Sequence, residues 1–181
     1  LDNERINSGE HISYNKESIV RANATQAAWL LNIDRCIRIL KSISSLTDIQ
    51  IKQMRWIDVG CGNGLASIYV AAKFGLKSQL LFDFDSRCIE QSKKKYEIFK
   101  NSFLGIFFRL NDPEYMHADA AQDQLPKELN DKNIIYMYNP FDEFVLSRFL
   151  EINIELINSG SVIFYLNDIH KHIIMDKLKD K

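Results

Sequence analysis

Apolar residues recur along this chain in two alternating rhythms, and their order predicts its elements. Residues 1–22 are polar and irregular, after which Trp29, Ile33, Ile37 and Leu40 return every three or four positions and predict a helix from about 25 to 43. The run 55–59 reads as a strand, 65–74 as a helix, and 79–84 as a second strand that is apolar until it ends in acids. Ile89, Ser92, Tyr96, Phe99 and Phe103 mark the next helix. Either Phe103–Phe108 or Tyr115–Ala118 could supply a third strand, and the second is preferred. The run 133–138 is apolar throughout, a helix is expected over about 142–157, a fifth strand over 161–166, and Ile169, Ile173 and Ile174 suggest a short final helix.

Continuous apolar strands interleaved with helices imply a parallel sheet covered on both faces, so the expected class is α/β, a doubly wound Rossmann-like sheet. A chain of 181 residues with 46% hydrophobic content is most simply one domain able to bury about 70% of its unfolded surface. Within it, 1–50 would be an irregular segment and helix, and 51–181 the core. The sheet is expected to stop early, leaving the fifth strand as an apolar edge. Its expected cover is the first 22 residues, a second subunit of a homodimer, or a further C-terminal segment.

Charge narrows the partners. A formal net charge of −1 offers no evident nucleic-acid or membrane surface, and the lysines at 93–95 and 177–181 read as solvated helix faces. Cys36, Cys61 and Cys88, odd in number and widely spaced, suit free thiols in a cytoplasmic protein. No signal peptide and no apolar run long enough to span a bilayer is present.

The chemistry concentrates where the first strand ends. Trp56-Ile57-Asp58-Val59 runs into Gly60, Gly62 and Gly64 and then a helix, so the backbone can turn sharply, admit a ligand closely and present unpaired N–H groups. A phosphate-cradling loop would need Gly-Lys-Ser/Thr, but Leu65-Ala66 follows Gly64. A dinucleotide fingerprint would need glycine where Leu65 stands, which disfavours a nicotinamide-dependent dehydrogenase. Asp83 lies nineteen residues beyond Gly64, near the spacing at which an acid reaches ribose hydroxyls, with Asp85 as its understudy. Either acid could instead cap the helix from Ser86.

Asp-x-Gly-x-Gly-x-Gly resembles the first motif of class I S-adenosylmethionine (SAM) methyltransferases. The resemblance implies that Asp58, Gly60, Gly62 and Gly64 hold the methionine end of SAM and Asp83 the ribose. Cys61 belongs to the same cofactor-binding loop and is itself read as a small packing residue. Ala118-Asp119-Ala120 is similar to the family's acid-alanine pair, which implies that Asp119 contacts adenine; a capping role weighs equally. Asn139-Pro140-Phe141 resembles the Asn/Asp-Pro-Pro-Tyr/Phe motif of amino-group methyltransferases without its second proline. That implies Asn139 and Phe141 on the acceptor side; the alternative is an Asx turn at Asn139 with Phe141 in the core.

Residues from about 52 to 175 also resemble a bacterial SAM-dependent group whose fourth strand ends in Tyr/Phe-Asn-Pro-Phe-Asp and whose fifth ends in Tyr-x-Asn-Asp/Pro followed by His, here Tyr138–Asp142 and Tyr165–His170. Where that group carries Gly-Lys-Gly-Arg, this chain has Gly62-Asn63-Gly64-Leu65 and lacks two cations. His170 and His172 share a face only on a strand, so no metal is expected. The expected function is methyl transfer from SAM to an unidentified acceptor. The alternative is a non-catalytic SAM- or nucleotide-binding module acting as a partner subunit.

Overall fold

The structure, a computed structural model, describes residues 30–76, 78–127, 132–138 and 140–179. Its elements are α1 (Leu30–Ser44), α2 (Asp48–Lys52), β1 (Arg55–Val59), α3 (Leu65–Phe74), β2 (Ser78–Asp83), α4 (Ser86–Lys100), α5 (Phe103–Phe108), β3 (Glu114–His117), β4 (Asn133–Tyr138), α6 (Glu143–Ile152), α7 (Ile154–Asn158), β5 (Val162–Leu166) and α8 (Lys171–Lys177). The strands form one parallel sheet in the order β3-β2-β1-β4-β5. This is the expected doubly wound, Rossmann-like arrangement.

The three inner strands, β1, β2 and β4, are buried nearly throughout because both of their faces are covered, whereas the edge strands β3 and β5 are only partly so. Ile57, Val59, Leu80, Phe82, Ile135 and Met137 pack toward α6 and α7. The alternate positions Trp56, Ile134 and Tyr136 pack toward α1 and α3, with Trp56 stacked on Tyr136 at 4.9 Å between ring centroids. Leu81 meets Ile89 of α4 on that same side. Each such fully buried side chain contributes roughly 1.5–3 kcal/mol. At the amino end of β1, the buried guanidinium of Arg55 reaches across β2 to Glu114 Oε2 at 2.9 Å and donates to the Pro126 carbonyl at 3.1 Å.

Several boundaries differ from the sequence expectation, each for a local reason. The first helix is described from Leu30, and residues 25–29 lie outside the described residues. Helix α2 was not foreseen, although its capping box is plain: Gln50 N–H donates to Thr47 Oγ1 at 3.3 Å and Thr47 N–H to Gln50 Oε1 at 2.9 Å. The helix marked by Ile89 to Phe103 ends at Lys100, because Ser102 starts α5 by accepting the Gly105 amide at 3.2 Å. Phe103–Phe108 is therefore helix, and the third strand is the later segment.

The helix expected over 142–157 breaks at buried Asn153, whose Oδ1 accepts the Leu125 amide at 2.8 Å while its Nδ2 donates to the Phe149 carbonyl at 2.9 Å. β5 is an edge strand among the described residues, half-buried at Val162, Ile163, Tyr165 and Leu166. The first 22 residues, one of its expected covers, lie outside the described residues. No described helix is long and apolar enough to cross a membrane. All three cysteines are free, Cys36 half-buried and Cys61 and Cys88 buried.

Candidate cofactor site

Connections leave β1 and β4 in opposite directions along the sheet, and doubly wound sheets bind ligands in a crevice outside the carboxyl ends of the strands at such a switch point. The loop after β1 turns into it under tight backbone control. The amides of Gly60 and Cys61 both donate to the Phe82 carbonyl, at 2.9 and 3.0 Å, and the Gly64 amide donates to the Cys61 carbonyl at 2.9 Å. Gly60, Gly62 and Gly64 all have positive φ, at 74°, 52° and 73°.

Two of these glycines also make room for the protein rather than for a ligand. A Cβ at Gly60 would lie 2.5 Å from Pro140 Cβ, just after β4, and one at Gly64 would lie 2.9 Å from Ser92 Cβ in α4. Gly62 serves differently: its amide donates to Asp83 Oδ2 at 2.9 Å.

Asp83 ends β2, only 5% exposed, and its other oxygen accepts the Asp85 amide at 2.9 Å. Burial pushes this acid up to about 6, against the pull of the two amides. Asp85 is the N-cap of α4, accepting the Arg87 amide at 2.9 Å and facing its guanidinium at 3.3 Å. Strand β2 thus ends so that the first acid holds the glycine loop and the second caps the helix.

Asp58, 2% exposed, accepts from Ser67 Oγ at 2.7 Å, and the Ser67 carbonyl accepts from Gln79 at 3.1 Å. Burial pushes Asp58 up to about 7, reinforced by the charge of Asp83 and opposed by Ser67. Ser67 escaped sequence reasoning because nothing local marks its partner. Cys61 is buried against Leu81 and Ile89, and burial beside Asp83 and Asp58 raises its thiol well above the ordinary range, which suits a packing residue.

At the end of β3, Asp119 is buried and engaged locally. It accepts the Ala121 amide at 2.9 Å and the Gln122 side chain at 3.0 Å, while its own amide donates to Asp123 Oδ2 at 2.7 Å. On the acceptor side, Asn139 lies outside the described residues. Phe141, 8% exposed, packs into the core with its ring 5.9 Å from that of Phe149, and Asp142 caps α6 by accepting the Val145 amide at 3.0 Å. His170 and His172 do come together: each places a ring nitrogen 3.4 Å from Glu143 Oε1. They meet because His170 is the N-cap of α8, outside the helical spacing that would separate them. No group of His, Cys, Asp or Glu among the described residues is arranged to hold a metal.

The two buried acids imply a pH dependence. Both sit above the ordinary carboxylate value of about 3.9, so the folded state prefers them protonated. Their stabilising contribution is full below about pH 4 and is lost as pH rises through about 6 for Asp83 and about 7 for Asp58. The melting temperature of the ligand-free protein should therefore carry a falling component between pH 5 and 8, and Asp58→Asn should reduce it. An identical slope in wild type and variant would rule out Asp58 as a source.

No family model matches this sequence, and no curated protein matches it. Solved structures do resemble it. The PH0226 protein from Pyrococcus horikoshii OT3 is 13% identical, with a TM-score of 0.51 over 86% of this chain and 65% of its own. The methyltransferase domain of bacterial CtHen1 is 15% identical, with a TM-score of 0.46 over 67% of this chain and 57% of its own. PKMT2 from Rickettsia typhi, solved in complex with AdoHcy, is 19% identical, with a TM-score of 0.45 over 63% of this chain and 20% of its own. The chain thus spans less than two thirds of the length of each. At such identity the likeness to the Pyrococcus protein establishes the fold alone.

Proposed function

We propose that this chain binds SAM at the loop between β1 and α3 and directs methyl transfer to an acceptor held beside the end of β4. The observation that carries this reading is the charge of the crevice. Asp58, Asp83, Asp85 and Asp119 stand buried at or just beyond the carboxyl ends of β1, β2 and β3, and the adjacent guanidinium of Arg87 is turned onto Asp85. A pyrophosphate would meet a row of acids there, and the adjacent guanidinium is already engaged by Asp85. A ligand carrying an ammonium, a sulfonium and a ribose diol suits the same groups.

The donor and acceptor inventory fits as well. Asp83 has about four lone-pair sites, of which the Gly62 and Asp85 amides use two, so each oxygen can accept one more bond from a ribose hydroxyl. Asp58 with Gly60, Gly62 and Gly64 would hold the methionine end, Cys61 would back the loop, and Asp119 would face the adenine. Bound SAM supplies an electrophilic methyl group. The protein's part is to orient the acceptor and exclude water, for which proximity alone supplies roughly 7–11 kcal/mol. Asn139 is the proposed acceptor-orienting residue. Phe141, rooted against Phe149, follows it two residues later on the proposed acceptor side. The endings Tyr138–Asp142 and Tyr165–His170 support kinship with the bacterial Asn-Pro-Phe group, and free cysteines support a cytoplasmic setting.

Calorimetry against SAM, S-adenosylhomocysteine and NAD tests the reading. The first two should bind and raise the melting temperature, as a ligand selective for the folded state must, and NAD should not. Binding of NAD without SAM would overturn it. Turnover with candidate acceptors separates an enzyme from a non-catalytic module.

A further inference from the structure

Helix α5 presents an unusual surface. Its sequence is Phe-Leu-Gly-Ile-Phe-Phe, and every residue except Gly105 points outward, Phe103 being 82% exposed and Phe107 69%. At about 100° per residue, Phe103, Leu104, Ile106, Phe107 and Phe108 cover an arc of about 200°, with Gly105 nearly opposite its centre. Gly105 is what sets the helix down on the body: a Cβ there would fall 2.1 Å from the Phe99 carbonyl oxygen. The result is a convex apolar ridge on the order of 500 Å², at the upper end of what a soluble monomer ordinarily exposes.

The rim of the ridge is cationic. Arg109 follows Phe108 directly as the C-cap, and exposed Lys94 and Lys95 lie one turn before exposed Ile98, itself one turn before Ser102. None of Lys94, Lys95 and Arg109 enters an ion pair among the described residues; of the nearby acids, Asp112 and Glu114 pair with Lys100 and Arg55, and exposed Glu97 offsets one of the three cations. A protein partner would need a concave apolar groove to accept such a ridge. A bilayer surface takes a convex wedge without shape complementarity, buries aromatic side chains at the headgroup boundary and attracts cations to anionic lipid.

We propose that α5 and its basic rim dock this protein onto an anionic membrane surface. Surface docking needs no spanning segment. The geometry leaves the cofactor crevice open: α4 starts beside the crevice at Asp85 and runs 15 residues, about 22 Å, before α5 begins at its far end.

Cosedimentation of the whole chain with vesicles decides the matter. The protein should pellet with vesicles of phosphatidylcholine plus phosphatidylserine, less with phosphatidylcholine alone, and less at high salt. Phe103→Ser with Phe107→Ser should weaken binding at least about tenfold, and Lys94→Gln with Lys95→Gln should remove the preference for anionic lipid. These side chains are exposed, so an unchanged melting temperature would certify the fold of both variants. Absence of pelleting, equal pelleting of the Phe variant, or a concentration-dependent dimer that the Phe variant abolishes would each overturn the proposal, the last by assigning the ridge to a second copy of the chain.

Discussion

Gly60→Ala is expected to destabilise the protein by about 3 kcal/mol and to abolish SAM binding. Two effects combine. At φ 74° a non-glycine residue carries roughly 1–2 kcal/mol of backbone strain, and the new methyl would sit 2.5 Å from Pro140 Cβ. The proline ring has no rotamer by which to retreat, so the strain must be relieved by parting the carboxyl ends of β1 and β4, the walls of the crevice. Gly160→Ala is the internal control: its φ is 105°, yet a Cβ there meets nothing within 4 Å, so it should show backbone strain alone. Urea titration of both variants, with calorimetry on each, separates the terms. Because φ 105° lies further from the left-handed well than 74°, the backbone strain at Gly160 is at least that at Gly60. A larger loss for Gly60→Ala would therefore have to come from the contact with Pro140, and a fully stable Gly60→Ala protein would deny that contact any energetic weight.

Asp83→Ala should cost about 2 kcal/mol of stability and lower SAM affinity by at least about tenfold. The substitution strands the Gly62 and Asp85 amides, each donating to Asp83 at 2.9 Å, and a buried donor without an acceptor costs roughly 1–3 kcal/mol. Part of that loss is offset at alkaline pH, because a buried carboxylate pushed up to about 6 is itself unfavourable when ionised. The destabilisation should accordingly be larger at pH 5.5 than at pH 8. Asp83→Asn should lose about half as much, since its amide oxygen can satisfy one N–H while its NH₂ faces the other. Chemical denaturation at both pH values gives the comparison, and a fully stable Asp83→Ala protein would mean that the loop holds itself.

The sheet was legible because its strands are apolar on both faces: 55–59, 133–138 and 161–166 stand out from any helical period, and their order implies parallel crossovers. What escaped depends on partners distant in sequence. Asn153 looks like any polar residue on a helix until Leu125, 28 residues away, needs an acceptor. Ser67 and Arg55 are similar cases, buried polar groups whose partners come from other elements. The break at Ser102 was hidden because Phe99 and Phe103 preserve helical spacing across it. The Thr47–Gln50 box, by contrast, was in plain view, and reading it would have located α2. In the crevice, the loop and its acids could be found by spacing, but their division of labour could not. That Asp83 clasps the Gly62 amide while Asp85 caps α4 depends on β2 ending at Asp83.

The strand order also sets when during folding the crevice can come into existence. β1 pairs with β2 through Arg55 and Ser78, a short closure, but with β4 through Arg55 and Asn133, which requires a much longer loop to close. Hairpin-scale contacts cannot build that seam, and non-local pairing of this kind is slow. A chain that has assembled β1, β2 and α3 but not yet docked β4 would hold the glycine loop without Pro140 behind it. Recovery of ligand binding during refolding would then trail the return of helical signal, and that lag would time the last strand's arrival.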